Sequence, residues 1–207
     1  MTESRGKPSE RRADLVRIAA ELFAERGYRA TTVRHIGDAA GVLSGSLYHH
    51  FDSKETILDE LLSSYLGELV DTYRRISGGE PVTALRGLVT EAFRSLGEHR
   101  AAITVLQNER SYLRTLPRFN YLTKAEEEVR RIWITVLRDG IDAGSFRADL
   151  DPEVTYRFLR DSVWVAVRWF RPGGRFTPEE LADHYLRIVL DGITKRDAGP
   201  VTRAAGT

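Results

Sequence analysis

Apolar residues recur at intervals of three and four along nearly the whole chain, and no segment sustains the apolar–polar alternation of a half-buried strand. No Asn-Gly-type pair sits between two apolar runs either, so a hairpin has no turn signal. That pattern restricts the chain to helices packed on helices, and the expected fold class is all-α. Leu15, Ile18, Ala19, Leu22 and Phe23 form the stripe of a first helix that ends before Gly27. Thr32 opens a short helix, VRHIGDAA, which Gly41 closes, and a second, SGSLYHHF, follows after two residues. A longer helix starts at Asp52 or Ser53 and turns Ile57, Leu58, Leu61, Leu62, Tyr65, Leu66 and Leu69 inward. Gly78-Gly79-Glu80-Pro81 then breaks the chain, and Pro81 suits the first turn of a helix lined by Leu85, Leu88, Val89, Ala92, Phe93 and Leu96. Residues 101–118 fit either one kinked helix or two short ones ending at Pro117, and 122–143 read as one long helix. Asp151-Pro152 and Thr177-Pro178-Glu179-Glu180 start the last two, the second with Glu three residues after its cap. The total is about nine helices, with residues 1–8 and 198–207 as flexible tails.

At 207 residues the chain suits one compact unit or two small ones. It has no cysteine, which excludes disulfide scaffolds, thiolate zinc sites and cysteine nucleophiles. No apolar run approaches the ~18 residues that cross a bilayer. The start, MTESRGKPSERR, lacks the apolar core of a signal peptide, so a cytoplasmic protein without a membrane partner is expected. The net charge of +1 says little globally. Locally, Arg5, Lys7, Arg11, Arg12, Arg17, Arg26, Arg29 and Arg34 crowd the beginning, offset in part by Glu10, Asp14, Glu21 and Glu25. That bias suits a polyanion.

Two short helices around a tight turn suggest a helix-turn-helix. The segment ATTVRHIGDAAGVLSGSLYHHFDSKETILDELL resembles the N-terminal domain of the TetR family of transcriptional repressors. It matches the pattern T-x-x-x-I-A-x-x-A-G-V-x-x-G-[ST]-[LI]-Y-x-[HY]-F-x-[SN]-K-E-x-L nearly throughout. The resemblance implies a DNA-binding domain over 9–53, with its motif at 32–51, and a ligand-binding and dimerisation domain over 54–197. Thr32 can cap the first short helix. Ala39, Ala40 and Gly41 are small enough for the two helices to cross closely, and Gly41 can take the left-handed turn conformation. Val42, Leu47 and Phe51 are expected inside, which leaves Ser44, Gly45, Ser46, Tyr48, His49 and His50 for the groove. Gly45 permits close backbone approach, the two serines reach base edges or phosphates, and Tyr48 and His49 are phosphate donors. Arg34 is placed at the same groove, and Lys54 matches the family's phosphate-contacting lysine. Many relatives have Ser or Thr where this chain has Leu43, and a basic or polar residue where it has Ser44, so this recognition helix is less basic than usual. His49-His50 invites a metal reading, but adjacent helical side chains point about 100° apart and do not chelate one ion, so no metal is expected.

The stretch YRFLRDSVWVAVRWFRPGG, 156–174, sets four arginines among apolar residues. On a helix Arg157, Arg160, Trp164, Arg168 and Arg171 share an arc of about 80°. The rest of the circumference is mostly apolar, so the helix is expected to be buried, and its guanidinium line calls for an anion. Two readings stay open on the residues alone. The arginines either pair with Asp161, Asp183 or Asp191 at an interface, or grip a phosphate-bearing ligand that stacks on Trp164. The TetR resemblance implies that the last two helices build a four-helix dimer interface beside the ligand cavity. VLSGSLYHHF, PRFNYL, WITVLRDGIDAGSFRADLD and RFLRDSVWVAVRWFRPGG are similar, more closely, to the TetR-type repressors of late steroid-ring (cholesterol) catabolism, which a CoA thioester of a partly degraded ring system relieves. This implies ligand contacts at Arg160, Trp164 and Arg168, with Arg157 and Tyr121 completing the set. The expected protein is a homodimer on pseudo-palindromic double-stranded operator DNA, its two heads ~34 Å apart, released by a small-molecule effector. It needs no cofactor and no catalytic residue. A TetR-fold repressor or activator with a different apolar effector is the nearer alternative. An enzyme acting on acyl-CoA is the remote one, because His99 and His184 stand in ordinary helical contexts and no Gly-rich phosphate loop or nucleophile elbow occurs.

Overall fold

A computed structural model describes residues 8–193. Among the described residues nine α-helices and one 3-10 turn follow each other with no strand. They are α1 (Pro8–Arg26), α2 (Val33–Ala40), α3 (Ser44–Leu47), α4 (Lys54–Ile76), α5 (Pro81–Glu98) and α6 (Arg100–Leu113). The 3-10 turn Pro117–Phe119 comes next, then α7 (Tyr121–Asp142), α8 (Pro152–Ala166) and α9 (Pro178–Ile193). Residue 8, expected in a tail, already belongs to α1, while the remaining tail positions and 194–197 lie outside the described residues.

Caps set most boundaries. Thr32 accepts the His35 amide at 3.2 Å and donates its own amide to His35 Nδ1 at 3.3 Å, a reciprocal cap with histidine in the place usual for Glu or Gln. Ser53, Glu80 and Asp151 cap α4, α5 and α8 through side-chain oxygens, and Pro81 and Pro152 occupy first-turn positions. Thr177 and Glu180 cap α9 reciprocally at 3.2 and 2.8 Å.

Three expectations are corrected. The second short helix runs only through Leu47; Tyr48–His50 continue as turns, with the His49 and His50 amides donating to Ser46 and Leu47. The close crossing of α2 and α3 occurs at Gly37, where a Cβ would stand 3.0 Å from the Val42 carbonyl and 3.4 Å from the Ser44 nitrogen. Ala39 is exposed, and Gly41 instead supplies the left-handed cap at φ 66°. The helix expected over 156–174 stops at Ala166 and unwinds through short turns to Phe170. Its last carbonyls are taken from α6: Gln107 Nε2 donates to Trp164 at 2.6 Å, and Arg100 Nη2 donates to Val167 at 3.1 Å. The ambiguous stretch 101–118 resolves into α6 and the start of the Pro117 turn.

Helices α1–α3 form one end, α1 packing on α2, α4 and α6. Helix α5 is central to the other end, against α4, α6, α7, α8 and α9. Gly87 allows this packing, because a Cβ there would meet Ile76 Cγ2 of α4 at 2.6 Å. The buried side chains make one contiguous cluster from Leu15 to Ile193. Each fully buried Leu or Phe in it contributes about 1.5–3 kcal/mol of apolar transfer.

Candidate nucleic-acid interface and effector cavity

At the α1–α3 end, Leu47 and Phe51 are buried and Val42 packs against them. The opposite side presents Gly45 and His49, both exposed, and Tyr48, with Ser44 and Ser46 half-buried beside them. Thr32 and Arg34 are exposed at the near end of α2, the Arg34 guanidinium 3.9 Å from Asp38. Apart from the Thr32 cap and the Arg34–Asp38 pair, these side chains are open to solvent or half-buried. His50 and Lys54 differ. His50 is half-buried and its carbonyl accepts from Arg12. Lys54 spends two protons on the carbonyls of Tyr28 and Thr31, both at 2.7 Å, and lies 4.2 Å from the Tyr28 ring centre. Burial lowers the Lys54 pKa below the usual lysine range, against the pull of Glu109 and Glu55. Lys54, expected at a phosphate, also clamps the α1–α2 connection.

Sequence reasoning missed a strut beside it. Arg12 donates to both Glu60 oxygens, to Oε1 at 3.1 Å and to Oε2 at 2.6 Å, donates to the His50 carbonyl, and stands 4.1 Å over the Phe51 ring. It ties the end of the α3 region to α4. A count of charges could not separate such an arginine from one that faces solvent.

Between α4, α5, α6, α7 and α8 lies a cavity of about 350 Å³. Its walls are apolar, with Leu66, Leu69, Leu96, Ile103, Leu106 and Trp133 among them. Tyr65 and Tyr73 add hydroxyls, bonded to Ser95 and Trp133 respectively. Burial pushes both phenols well above their ordinary range, so they stay neutral. Arg110, Arg114, Arg130 and Arg160 line the same cavity. Each arginine is partly exposed and held by a carboxylate: Arg110 and Arg114 by Glu126 at 2.6 and 2.9 Å, Arg130 by Glu153 at 2.5 Å, Arg160 by Asp161 at 2.6 Å.

Of the expected ligand residues, Arg160 and Trp164 line the cavity. Arg157 and Arg168 are exposed and do not line it, the latter because α8 ends before it. Tyr121 is also outside; its hydroxyl reaches the Asp59 carbonyl of α4 at 3.4 Å, while the next residues, Leu122 and Thr123, turn to the cavity. Arg110, Arg114 and Arg130 went unnoticed. Arg110 and Arg114 stand one turn apart in the sequence, but their part in the cavity shows only once α6 is seen to lie against Glu126 of α7.

Helix α6 also touches the α1–α3 end. Glu109 accepts the Tyr28 amide at 3.1 Å, and Tyr112 packs 6.2 Å from the Tyr28 ring with the Arg29 guanidinium 5.4 Å above it. One helix thus carries cavity arginines on one side and the DNA-end contacts on the other.

The geometry is that of a ligand-sensing helix-turn-helix protein, and family models agree. The model of bacterial regulatory proteins, tetR family, matches residues 15–61, and that of the tetracyclin repressor-like C-terminal domain matches 78–193. The chain belongs to the TetR family and is a DNA-binding transcriptional repressor. It is similar to the HTH-type transcriptional repressor KstR2 of Mycobacterium tuberculosis (strain CDC 1551 / Oshkosh), with 48% identity over 192 residues, 92% of this chain and 96% of that one. KstR2 of Rhodococcus jostii (strain RHA1) is 51% identical over 187 residues, 89% of this chain and 92% of its own. A solved structure described as the ketosteroid transcriptional regulator KstR2 of Mycobacterium tuberculosis aligns with a TM-score of 0.88 at 48% identity, over 92% of this chain and 98% of that chain. These relatives are repressors, and the alternative of an acyl-CoA enzyme is set aside on that ground.

Proposed function

We propose that this repressor acts as a homodimer on genes of steroid-ring catabolism and is released from its operator by an acyl-CoA thioester. The observation that carries the effector is an apolar cavity lined by four arginines. At about 350 Å³ the cavity holds a compact apolar group and no more, being near the small end of ligand pockets, roughly 300–1,000 Å³. A polycyclic acyl group fits inside, and a phosphate-rich nucleotide tail then lies outside along Arg110, Arg114, Arg130 and Arg160. A purely apolar effector makes no use of those guanidinium groups, which then keep only their pairs with Glu126, Glu153 and Asp161. The names of the relatives, KstR2 and ketosteroid regulator, support the steroid assignment.

On the DNA side, residues 9–53 read the duplex and 54–197 hold the effector and the dimer contacts. Helix α3 and the turn after it enter the major groove with Ser44, Gly45, Ser46, Tyr48 and His49, while Thr32 and Arg34 meet the backbone. His50 and Lys54 chiefly hold that surface in place. The dimer face is the stripe Val154, Phe158 and Val165 on α8, with Trp169 beyond it and Ile188 on α9, all exposed in the single chain.

The test combines thermal shift with operator release, using CoA thioesters of bicyclic and tetracyclic acids against the free acids. A thioester at a hundred times its Kd adds ~2.7 kcal/mol of stability, which moves the melting midpoint by about 5–10 °C at this chain length. Each of Arg160→Met, Arg110→Met and Trp164→Leu weakens the thioester, about ten-fold or more for the arginines, since a charge-assisted hydrogen bond contributes about 1.5–3 kcal/mol. Release of operator by free acids or neutral apolar compounds, with thioesters inert, overturns the effector assignment.

A further inference from the structure

We propose that Leu43 reads a thymine of the operator through contact with its C5-methyl group; this rests on the docking of α3 proposed above. Leu43 precedes α3 and is 84% exposed, more than any other large apolar side chain among the described residues. Four residues before buried Leu47, it would share that residue's inward face on a continuous helix. Its extended backbone, φ −66° and ψ 141°, turns it outward instead, and the inner side is already filled by Val42, Leu47 and Phe51. The leucine therefore does nothing for the core. It stands on the surface that carries Gly45 and Tyr48, next to a glycine around which no atom comes within 4 Å of a Cβ position.

That surface docks on a ligand of known chemistry. The major groove offers hydrogen-bond donors and acceptors on every base pair and one apolar group, the thymine methyl. Hydroxyls and imidazole from Ser44, Ser46, Tyr48 and His49 serve the polar groups. Leu43 has no use for them, and beside a phosphate it would strip water from the charge without replacing its hydrogen bonds, whereas the methyl lets it leave water on binding. The other strongly exposed apolar residues, Phe158, Trp169 and Ile188, belong to α8, α9 and the segment between them, so Leu43 is not part of that patch.

The experiment starts from an operator selected by the full-length wild-type protein from a random duplex library. Each thymine is replaced, in both half-sites together, by deoxyuridine, which keeps every hydrogen-bonding edge and removes only the methyl. One position is expected at which wild-type binding weakens about four-fold per half-site, or roughly fifteen-fold for the symmetric pair, the effect of one methyl kept from water. Leu43→Ala, which leaves the core untouched, should melt with the wild type and bind the thymine and uracil operators equally. Absence of any methyl-sensitive position, or sensitivity that survives in Leu43→Ala, overturns the assignment. Tyr48→Ala is measured alongside. If it leaves operator affinity unchanged, α3 is not in the groove and the docking falls together with Leu43. If it weakens binding while uracil has no effect, Leu43 alone falls.

Discussion

Arg12 belongs to a basic cluster that, on charge alone, faces a polyanion, yet its guanidinium is spent on Glu60, the His50 carbonyl and the Phe51 ring. Several neighbours are likewise engaged: Arg11 donates to the Ala40 carbonyl, Arg17 pairs with Asp14 and Glu21, and Arg29 covers Tyr112. The basic bias is therefore partly a property of the fold. Arg12→Met should weaken the operator complex about ten-fold, since a half-exposed bidentate pair contributes about 1–2 kcal/mol once screening is allowed for. Because Arg12 acts by holding the α3 region, its loss leaves the salt dependence of binding unchanged. Arg34→Ala, at the backbone contact proposed above, should lower that slope by about one. Glu60→Gln separates the roles: it weakens binding if Arg12 is a strut, and leaves it equal or better if Arg12 meets phosphate. Operator titrations at several salt concentrations check all three.

Helix α5 starts on Glu80, whose carboxylate accepts the Val82 and Thr83 amides at 2.9 and 2.8 Å and the Thr83 hydroxyl at 2.9 Å. These bonds hold its pKa below the ordinary 4.5. A carboxylate with a lowered folded-state pKa stabilises above the unfolded value, and that contribution disappears as pH falls through the folded one. Glu80→Ala should therefore melt lower than wild type at pH 7, with the gap closing as the pH drops below 4.5. Melting midpoints against pH would show it. The caps at Thr32, Asp151 and Thr177 were legible in the sequence because their partners stand within three residues, whereas Glu80 was read only as part of the break before Pro81. The early stop of α8 was not, since it depends on Gln107 and Arg100, 57 and 67 residues away. The arginines at the cavity mouth were half legible for the same reason. Arg160 and Trp164 stood out in an apolar stretch, while Arg110 and Arg114 acquire meaning only when α6 lies against Glu126 of α7. Gly37, where α2 meets the turn into α3, likewise looked no different from its small neighbours until the crossing was known.

At the scale of the molecule, the apolar stripe expected to be buried on α8 is exposed in the single chain, Phe158 at 73% and Trp169 at 57%. The dimer proposed above would cover it with a second copy. The double variant Phe158→Glu with Ile188→Glu should stay folded, run as a monomer in light scattering, and lose about 10²–10⁴ in operator affinity as two-point attachment disappears. A wild-type-like dimer from that variant would place the interface elsewhere. The unbroken buried cluster from Leu15 to Ile193 bears on how any of these measurements reads. A molecule with one interior melts in one step, so its calorimetric midpoint belongs to the reading head as much as to the metabolite pocket. On the effector release proposed above, an occupied pocket then protects the head from heat even while it loosens the head's grip on the duplex. Thermal resistance and gene silencing are expected to move in opposite directions.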